Sequence, residues 1–303
     1  MNIAITGASG FIGSNLSSFL TNNGDINLIS IVRKVTNKVD EYTFTDFFKG
    51  NIKENIDCFI HLASPNYDYS EDNSLQDGIV LLTENILKAL PQYQCSNFIF
   101  FSSCKVYGES SIKNTNFTES SNLNPVSDYA KAKVDAELLV KKISDEAGLN
   151  YLIYRLPFVY GRGMKSNIGK LLKILDKSLP ILSFKNGAGL KKSFLSVENI
   201  ERAIDHNISN TSSIDNNIYN LTDLSSISLD NFLTLYKDSS KSKSLIIRLH
   251  KDFFFMFVKI PIIKNILIKV FGSLVIENLK IQKKTSINFL PTSHCVANLV
   301  GKI

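Results

Sequence analysis

The spacing of apolar positions along this chain switches repeatedly between two periods. Ile3, Ala4 and Ile5 form an unbroken apolar run, and then Phe11, Ile12, Leu16, Phe19 and Leu20 recur at the intervals of one helix face. The run predicts a buried strand; the wider interval predicts an amphipathic helix. Apolar runs return at 28–32, 42–44, 58–64, 97–101, 151–156 and 218–221. A helix is expected over 74–90, with Leu75, Ile79, Leu82, Ile86, Leu87 and Leu90 on one face and Pro91 as its stop. Further helices are expected over 168–178 and 228–236, and residues 66–73 read as a polar, aromatic loop. Strands that alternate with helices predict parallel pairing between helical layers. The expected fold class is α/β: a doubly wound parallel sheet with a smaller C-terminal lobe, the character changing near residue 163.

Composition adds constraints to this picture. A chain of 303 residues that is 44% hydrophobic and 20% charged can bury a large core. The net charge of +6 is scattered; it suits an anionic small ligand and, without a long basic run, argues against nucleic acid. Cys58, Cys95, Cys104 and Cys295 form no C-x-x-C pair and no zinc spacing with the histidines, so no metal is expected. They read as reduced, mostly buried thiols of a cytoplasmic protein. A core strand that begins at Asn2, with no basic leader, argues against a signal peptide. Residues 253–276 are strongly apolar, but Lys259, Pro261, Lys264 and Lys269 keep every uncharged run short of the ~18 residues of a membrane span. Two short amphipathic helices broken at Pro261 are expected, with peripheral membrane contact as the alternative use of the stripe.

The first turn carries candidate chemistry. Gly7, Gly10 and Gly13, between strand and helix, let the backbone approach a pyrophosphate closely. The loop amides and the helix N-terminus, including Phe11 and Ile12, then supply donors and a positive dipole end. Arg33 lies twenty residues after Gly13, at the end of the second strand. A carboxylate near this point would bind a ribose 2′-hydroxyl and repel a 2′-phosphate; Arg33 and Lys34 would attract one. NADPH is therefore favoured, with NAD as the alternative cofactor.

Tyr129 and Lys133 stand at i and i+4, which puts phenol and ammonium on one helix face. A phenol near pKa 10 is too weak an acid at neutral pH, and a close cation stabilises its anion and lowers that value. The hydroxyl of Ser103, at the end of a neighbouring strand, would hold the same substrate oxygen. Alone, a Tyr-x-x-x-Lys spacing in a lysine-rich chain is equally a surface helix pair.

The ordered set is more specific than any member. Thr6-Gly7-Ala8-Ser9-Gly10-Phe11-Ile12-Gly13, His61-Leu62-Ala63, Ser102-Ser103 with Tyr107-Gly108, and Tyr129 with Lys133 resemble the extended short-chain dehydrogenase/reductases. That family includes nucleotide-sugar epimerases, dehydratases and ketoreductases. The resemblance spans roughly residues 1–230. It implies a Rossmann-type sheet with cofactor contacts from Gly7, Gly10, Phe11, Ile12, Gly13, Arg33, Leu62, Ala63, Tyr129, Lys133 and Pro157. It also implies Ser103, Tyr129 and Lys133 as the catalytic residues. His61 alone reads as a core histidine. The segment from Arg155 to Gly163 resembles the family's R-x-x-x-V-Y-G-x-G, where the substrate half begins. Asn167, in Lys165-Ser166-Asn167, and Lys192, before Ser193-Phe194, occupy positions that the resemblance assigns to substrate diphosphate, with Lys105 as a further substrate contact. Lys192 departs from the family's arginine, and a lysine offers a point charge instead of a fork.

Three chemistries share such a site. The resemblance implies that a 4,6-dehydratase would carry an Asp-Glu pair where this chain has Cys104 and Lys105, so dehydration is discounted. The favoured expectation is a cytoplasmic NADPH-dependent reductase of a dTDP- or UDP-linked 4-keto-6-deoxyhexose. Residues 272–281 resemble a C-terminal stretch of surface-polysaccharide (O-antigen type) sugar enzymes, which suggests that pathway class. The alternatives are a UDP-hexose or UDP-N-acetylhexosamine 4-epimerase and a non-catalytic NAD(P)-sensing protein. The expected division is 1–163 for cofactor, with later segments near 190–222 interleaved, and 164–303 mostly for substrate. A homodimer through the segments near 74–90 and 127–147 is a family expectation.

Overall fold

Ile3, Ala4 and Ile5 have no solvent exposure, which is why the first run extends as a central strand. The computed structural model describes residues 1–36, 40–64 and 75–302. The polar loop expected over 66–73 lies outside the described residues. Seven strands build one sheet: β1 (Asn2–Thr6), β2 (Asn27–Val32), β3 (Glu41–Thr43), β4 (Cys58–His61), β5 (Asn97–Ser103), β6 (Asn150–Leu156) and β7 (Asn217–Asn220). Their spatial order is β7-β6-β5-β4-β1-β2-β3. Every pairing from β3 through β6 is parallel. The order reverses direction beside β1, the doubly wound arrangement, in which ligands bind beyond the carboxyl ends of the strands. The register sets Thr6 beside both Ile31 and His61, and Ser103 beside Leu156, along that edge.

Helices α1 (Phe11–Thr21), α2 (Phe44–Phe48), α3 (Leu75–Ala89) and α4 (Asp128–Ala147) belong to the same unit. Thr43 and Asp46 close a capping box at the start of α2. Helix α4 is entered at Ser127, whose hydroxyl accepts from the Ala130 N–H, and ends at Gly148 in the left-handed conformation. Ala132, Ala136 and Val140 of α4 pack with Ile79, Ile86 and Leu87 of α3 and with Phe59, Phe98, Phe100 and Ile153 of the sheet in one buried cluster. Small residues on α4 let the backbone come down onto those aromatic rings. All four cysteines are free and buried.

The chain forms two compact units. The first comprises 1–108, 122–156 and 203–219; the second comprises 109–121, 157–202 and 220–303. The second unit holds short parallel pairs, Phe158–Tyr160 with Phe194–Ser196 and Ile181–Phe184 with Ile246–Leu249. Its helices include α5 (Asn167–Asp176), the start of α6 (Val197–Ser209), α7 (Leu229–Ser240), α8 (Lys251–Phe257) and α9 (Pro261–Phe271). Pro261 stands in the first turn of α9, where its missing N–H removes no helical bond. The interruption expected there is therefore a helix start.

Candidate active site

The turn after β1 is built so that only glycine fits at two places. Gly7 has φ +75, and a Cβ placed on it would lie 2.9 Å from the Ala63 nitrogen. A Cβ on Gly13 would lie 2.0 Å from the Gly7 carbonyl oxygen. The loop after β4, which carries Leu62 and Ala63, thus runs directly against the glycine turn. Gly10 donates its N–H to the Gly7 oxygen at 2.9 Å and precedes α1 as its N-cap, with no side-chain cap. Phe11 and Ile12 open the helix, half-buried. A bare backbone turn at a helix N-terminus fits an anionic diphosphate.

His61 anchors this corner from beneath. Thr83 donates its hydroxyl proton to the Ile79 carbonyl at 2.8 Å, so it must accept from His61 Nε2 at 3.3 Å. That assigns the proton to Nε2 and makes Nδ1 an acceptor for the Thr6 hydroxyl at 2.7 Å. The Thr6 oxygen in turn accepts the Ala63 N–H at 3.2 Å. Burial pushes the imidazole down to about 3 from its ordinary 6.5, and the Lys133 charge adds to the effect. His61 is a neutral structural link between β1, β4 and α3.

Tyr129, Lys133 and a third residue, Glu137, make a stripe along α4. Lys133 is 2% exposed, and its ammonium donates to the Phe101 carbonyl of β5 at 2.9 Å. The same nitrogen lies 4.6 Å from the Phe100 ring centre and 5.9 Å from that of Tyr129. Burial brings it down to about 8, with the Glu137 carboxylate working the other way. It therefore keeps its proton at neutral pH and places a desolvated cation beside the phenol. Ser103 lies two residues beyond Phe101 and caps the short helical turn Cys104–Tyr107, accepting the Lys105 N–H at 3.3 Å. That bond leaves its O–H to donate. Lys105 is half-buried in the turn.

Glu137 was not singled out in the sequence, and it holds the site together. Arg155 of β6 grips both its oxygens, Nε to Oε1 at 3.0 Å and Nη2 to Oε2 at 2.5 Å. Ser102 donates to Oε1 at 2.5 Å, and Arg155 Nη1 donates to the Tyr107 hydroxyl at 2.9 Å. All four residues are buried. The network locks the end of β5, the turn carrying Lys105, and α4 to one another. Lys133, Glu137 and Arg155 together leave one net positive charge buried beside Tyr129. The one signal in the sequence was position: Glu137 is i+4 from Lys133, as Lys133 is from Tyr129.

The first unit thus brings the glycine turn together with Leu62 and Ala63, and Lys133 together with Tyr129 and the strand that ends in Ser103. Arg33 and Lys34 follow the carboxyl end of β2 and are exposed. Three expected residues belong to the second unit. Pro157 precedes the strand Phe158–Tyr160. Asn167 is the first residue of α5 and exposed, while its neighbour Ser166 is the N-cap, accepting the Gly169 N–H at 3.1 Å. Lys192 donates to the Lys269 and Val270 carbonyls at 2.6 and 3.2 Å, at the C-terminal end of α9. Burial lowers its ammonium to about 8, opposed by Glu109.

Comparison with known proteins places these features in context. The model of the NAD dependent epimerase/dehydratase family matches residues 3–222. A UDP-glucose 4-epimerase of Vibrio cholerae is 30% identical over 224 residues, covering 68% of this chain and 67% of that protein. The matches to the next two curated relatives span 44% and 66% of their lengths. Among solved structures, UDP-glucuronic acid 4-epimerase of Bacillus cereus in complex with UDP-glucuronic acid and NAD superposes with a TM-score of 0.74 at 19% identity. The match covers 99% of this chain and 98% of that one. The RMD protein of Pseudomonas aeruginosa complexed with NADPH gives 0.72 at 17%, covering 100% and 99%. These structural likenesses concern the fold.

Proposed function

The chain belongs to the NAD dependent epimerase/dehydratase family, and from that premise we propose that it reduces the C4 ketone of a nucleotide-activated 4-keto-6-deoxyhexose with NADPH. The observation that carries the reading is the buried ammonium of Lys133, held on the Phe101 carbonyl beneath the Tyr129 ring. A charged amine is expensive to desolvate, and its use here is to stabilise the anion of a phenol that gives up its proton. When bound, the nicotinamide supplies the hydride. Tyr129 gives the proton to the C4 oxygen, so ketone, hydride and proton together make the alcohol. Lys133 steadies the phenolate that remains and binds the nicotinamide ribose. Ser103 donates to the same oxygen and orients the ketone. Gly7, Gly10 and Gly13 with the amides of α1 would hold the cofactor diphosphate, beside Leu62 and Ala63.

Arg33 and Lys34, at the end of β2, support the choice of NADPH over NAD. Arg33→Asp is expected to shift preference towards NADH by about ten- to a hundredfold, as one charge-assisted contact is worth about 1.5–3 kcal/mol. An unchanged NADPH:NADH ratio of kcat/KM would remove Arg33 from the site. Substrate diphosphate is assigned to Asn167 and Lys192, within the substrate portion at 164–303, with Lys105 near the sugar. The reading includes a dTDP- or UDP-linked substrate, a cytoplasmic setting, surface-polysaccharide biosynthesis and a homodimer.

A 4-epimerase is the second reading, favoured by the Vibrio cholerae relative. One spectrum separates them. A reductase purifies without nucleotide and consumes NADPH when given a 4-keto sugar nucleotide. An epimerase purifies with tightly held NAD and interconverts sugars with no added cofactor. Protein that does neither, yet binds nicotinamide nucleotide, would favour the sensing alternative.

A further inference from the structure

Helix α9 is predominantly apolar, yet none of its residues is fully buried. Seven of its eleven positions are Ile, Leu, Val or Phe, read from the sequence Pro261-Ile-Ile-Lys-Asn-Ile-Leu-Ile-Lys-Val-Phe271. Leu267, Ile268 and Phe271 turn inward onto a small cluster of Phe184, Leu190, Phe254 and Val258. Ile262 and Ile266, one turn apart, point away from it and are 87% and 63% exposed. The preceding helix and the link to α9 continue the pattern: Phe254 is buried, whereas Phe253, Phe255, Met256 and, in the link, Ile260 are exposed. An isolated exposed isoleucine needs no explanation, but six large apolar side chains within fourteen residues do.

The charges around this face select its partner. Lys251, Lys259, Lys264 and Lys269 are exposed along the two helices and the link between them. The one acidic residue of the segment, Asp252, is paired with the imidazole of His250 at 3.1 Å. A second copy of the chain would bring lysines against lysines, which opposes self-association. Lysine is also depleted where protein surfaces bury one another. Apolar side chains flanked by lysine stems suit one environment above others, the boundary between acyl chains and anionic headgroups. At 1.5 Å per residue α9 is about 16 Å long, too short to cross a bilayer of about 30 Å. No helix among the described residues is long and apolar enough to cross a membrane. We propose that α8 and α9 form a membrane-docking face that lies in the surface of an anionic lipid bilayer. Phe253, Met256, Ile260, Ile262 and Ile266 enter the acyl boundary, and the four lysines meet the headgroup phosphates. The inference is independent of the reading of the active site.

The chain contains no tryptophan, so Ile262→Trp creates a sole reporter at the centre of the face. With the full-length protein, vesicles of phosphatidylcholine containing 30% phosphatidylglycerol (roughly the anionic share chosen to raise surface charge) should shift its emission to the blue. Phosphatidylcholine alone should shift it little, and high salt should reverse the shift. In co-sedimentation, Ile262→Glu with Ile266→Glu should lower the bound fraction at least about tenfold, while circular dichroism shows the fold retained. Lys259→Glu with Lys264→Glu should remove the preference for anionic lipid. The proposal is overturned if emission is the same with and without anionic vesicles. It is equally overturned if the glutamate variant sediments like the parent, or if it instead converts a dimer into monomers by light scattering while neither form binds vesicles.

Discussion

Helices α4 and α9 invert each other. Along α4, Lys133 and Glu137 are charged and buried; along α9, Ile262 and Ile266 are apolar and exposed. Ordinary folding energetics would exchange them, because burying apolar surface stabilises and burying charge costs several kcal/mol per ion. Each exception therefore marks a demand other than stability. On α4 the charges are partnered within the fold, by Arg155, Ser102 and the Phe101 carbonyl. On α9 the apolar side chains find partners on one side only. A buried charge with a full set of partners signals internal chemistry, and an apolar face without them signals an encounter with something outside.

Substitutions can test this contrast, starting with the largest effect. Tyr129→Phe should lower kcat by about 10²–10⁴, the range for a lost general acid, while cofactor binding measured by fluorescence persists. Loss of binding together with turnover would show instead that the phenol is structural. Next, Glu137→Ala strips Arg155 of its carboxylate and should cost about 3–5 kcal/mol of stability in urea unfolding. A loss below about 1 kcal/mol would mean that the network relaxes without strain, and the contrast with α9 would weaken.

The third test is the acid limb. The folded pKa of His61, about 3, lies below its unfolded value of 6.5. Between those values the unfolded chain binds a proton that the folded one refuses. The contribution of His61 is therefore complete above pH 6.5 and falls by about 1.4 kcal/mol per unit as the pH drops towards 3. His61→Asn should flatten that part of the stability profile; an unchanged slope would assign it to other groups. The smallest effect belongs to α9. Ile262→Ser should change stability by no more than about 0.5 kcal/mol, because that side chain has little burial to lose. A larger loss would show that α9 packs more tightly than its exposure indicates.

The sheet and the pairing of Tyr129 with Lys133 were legible because each follows a short-range rule. Strand and helix periods placed every strand of the main sheet to within about three residues, the largest offset being at the end of β4, and Pro261 marked the join between α8 and α9. The i, i+4 spacing placed phenol and ammonium on one face. The Glu137–Arg155 pair was not legible, since a carboxylate amid Lys131, Lys141 and Lys142 reads as an ordinary solvated helix surface. Only the arrival of β6 in space shows that its partner is eighteen residues away. Lys192 illustrates the same limit. Its ammonium reaches the Lys269 carbonyl at the end of a helix, 77 residues further along. No local pattern encodes that meeting. The shared obstacle is that long-range polar pairs depend on topology, whereas periodicity reports only which face is dry.

The proton order of the Thr83–His61–Thr6–Ala63 chain has one more consequence. Its polarity runs in a single sense, because Thr83 has already given its hydrogen to Ile79. An imidazolium would present a hydrogen to Thr6, whose oxygen already receives the Ala63 amide. Thr6 would then hold a hydroxyl hydrogen with no acceptor in a place water does not reach. Acidification would thus be transmitted, link by link, to the backbone that presses on Gly7. The glycine turn contains no titrating side chain of its own, but this relay couples it to the protonation of a ring that lies two hydrogen bonds away.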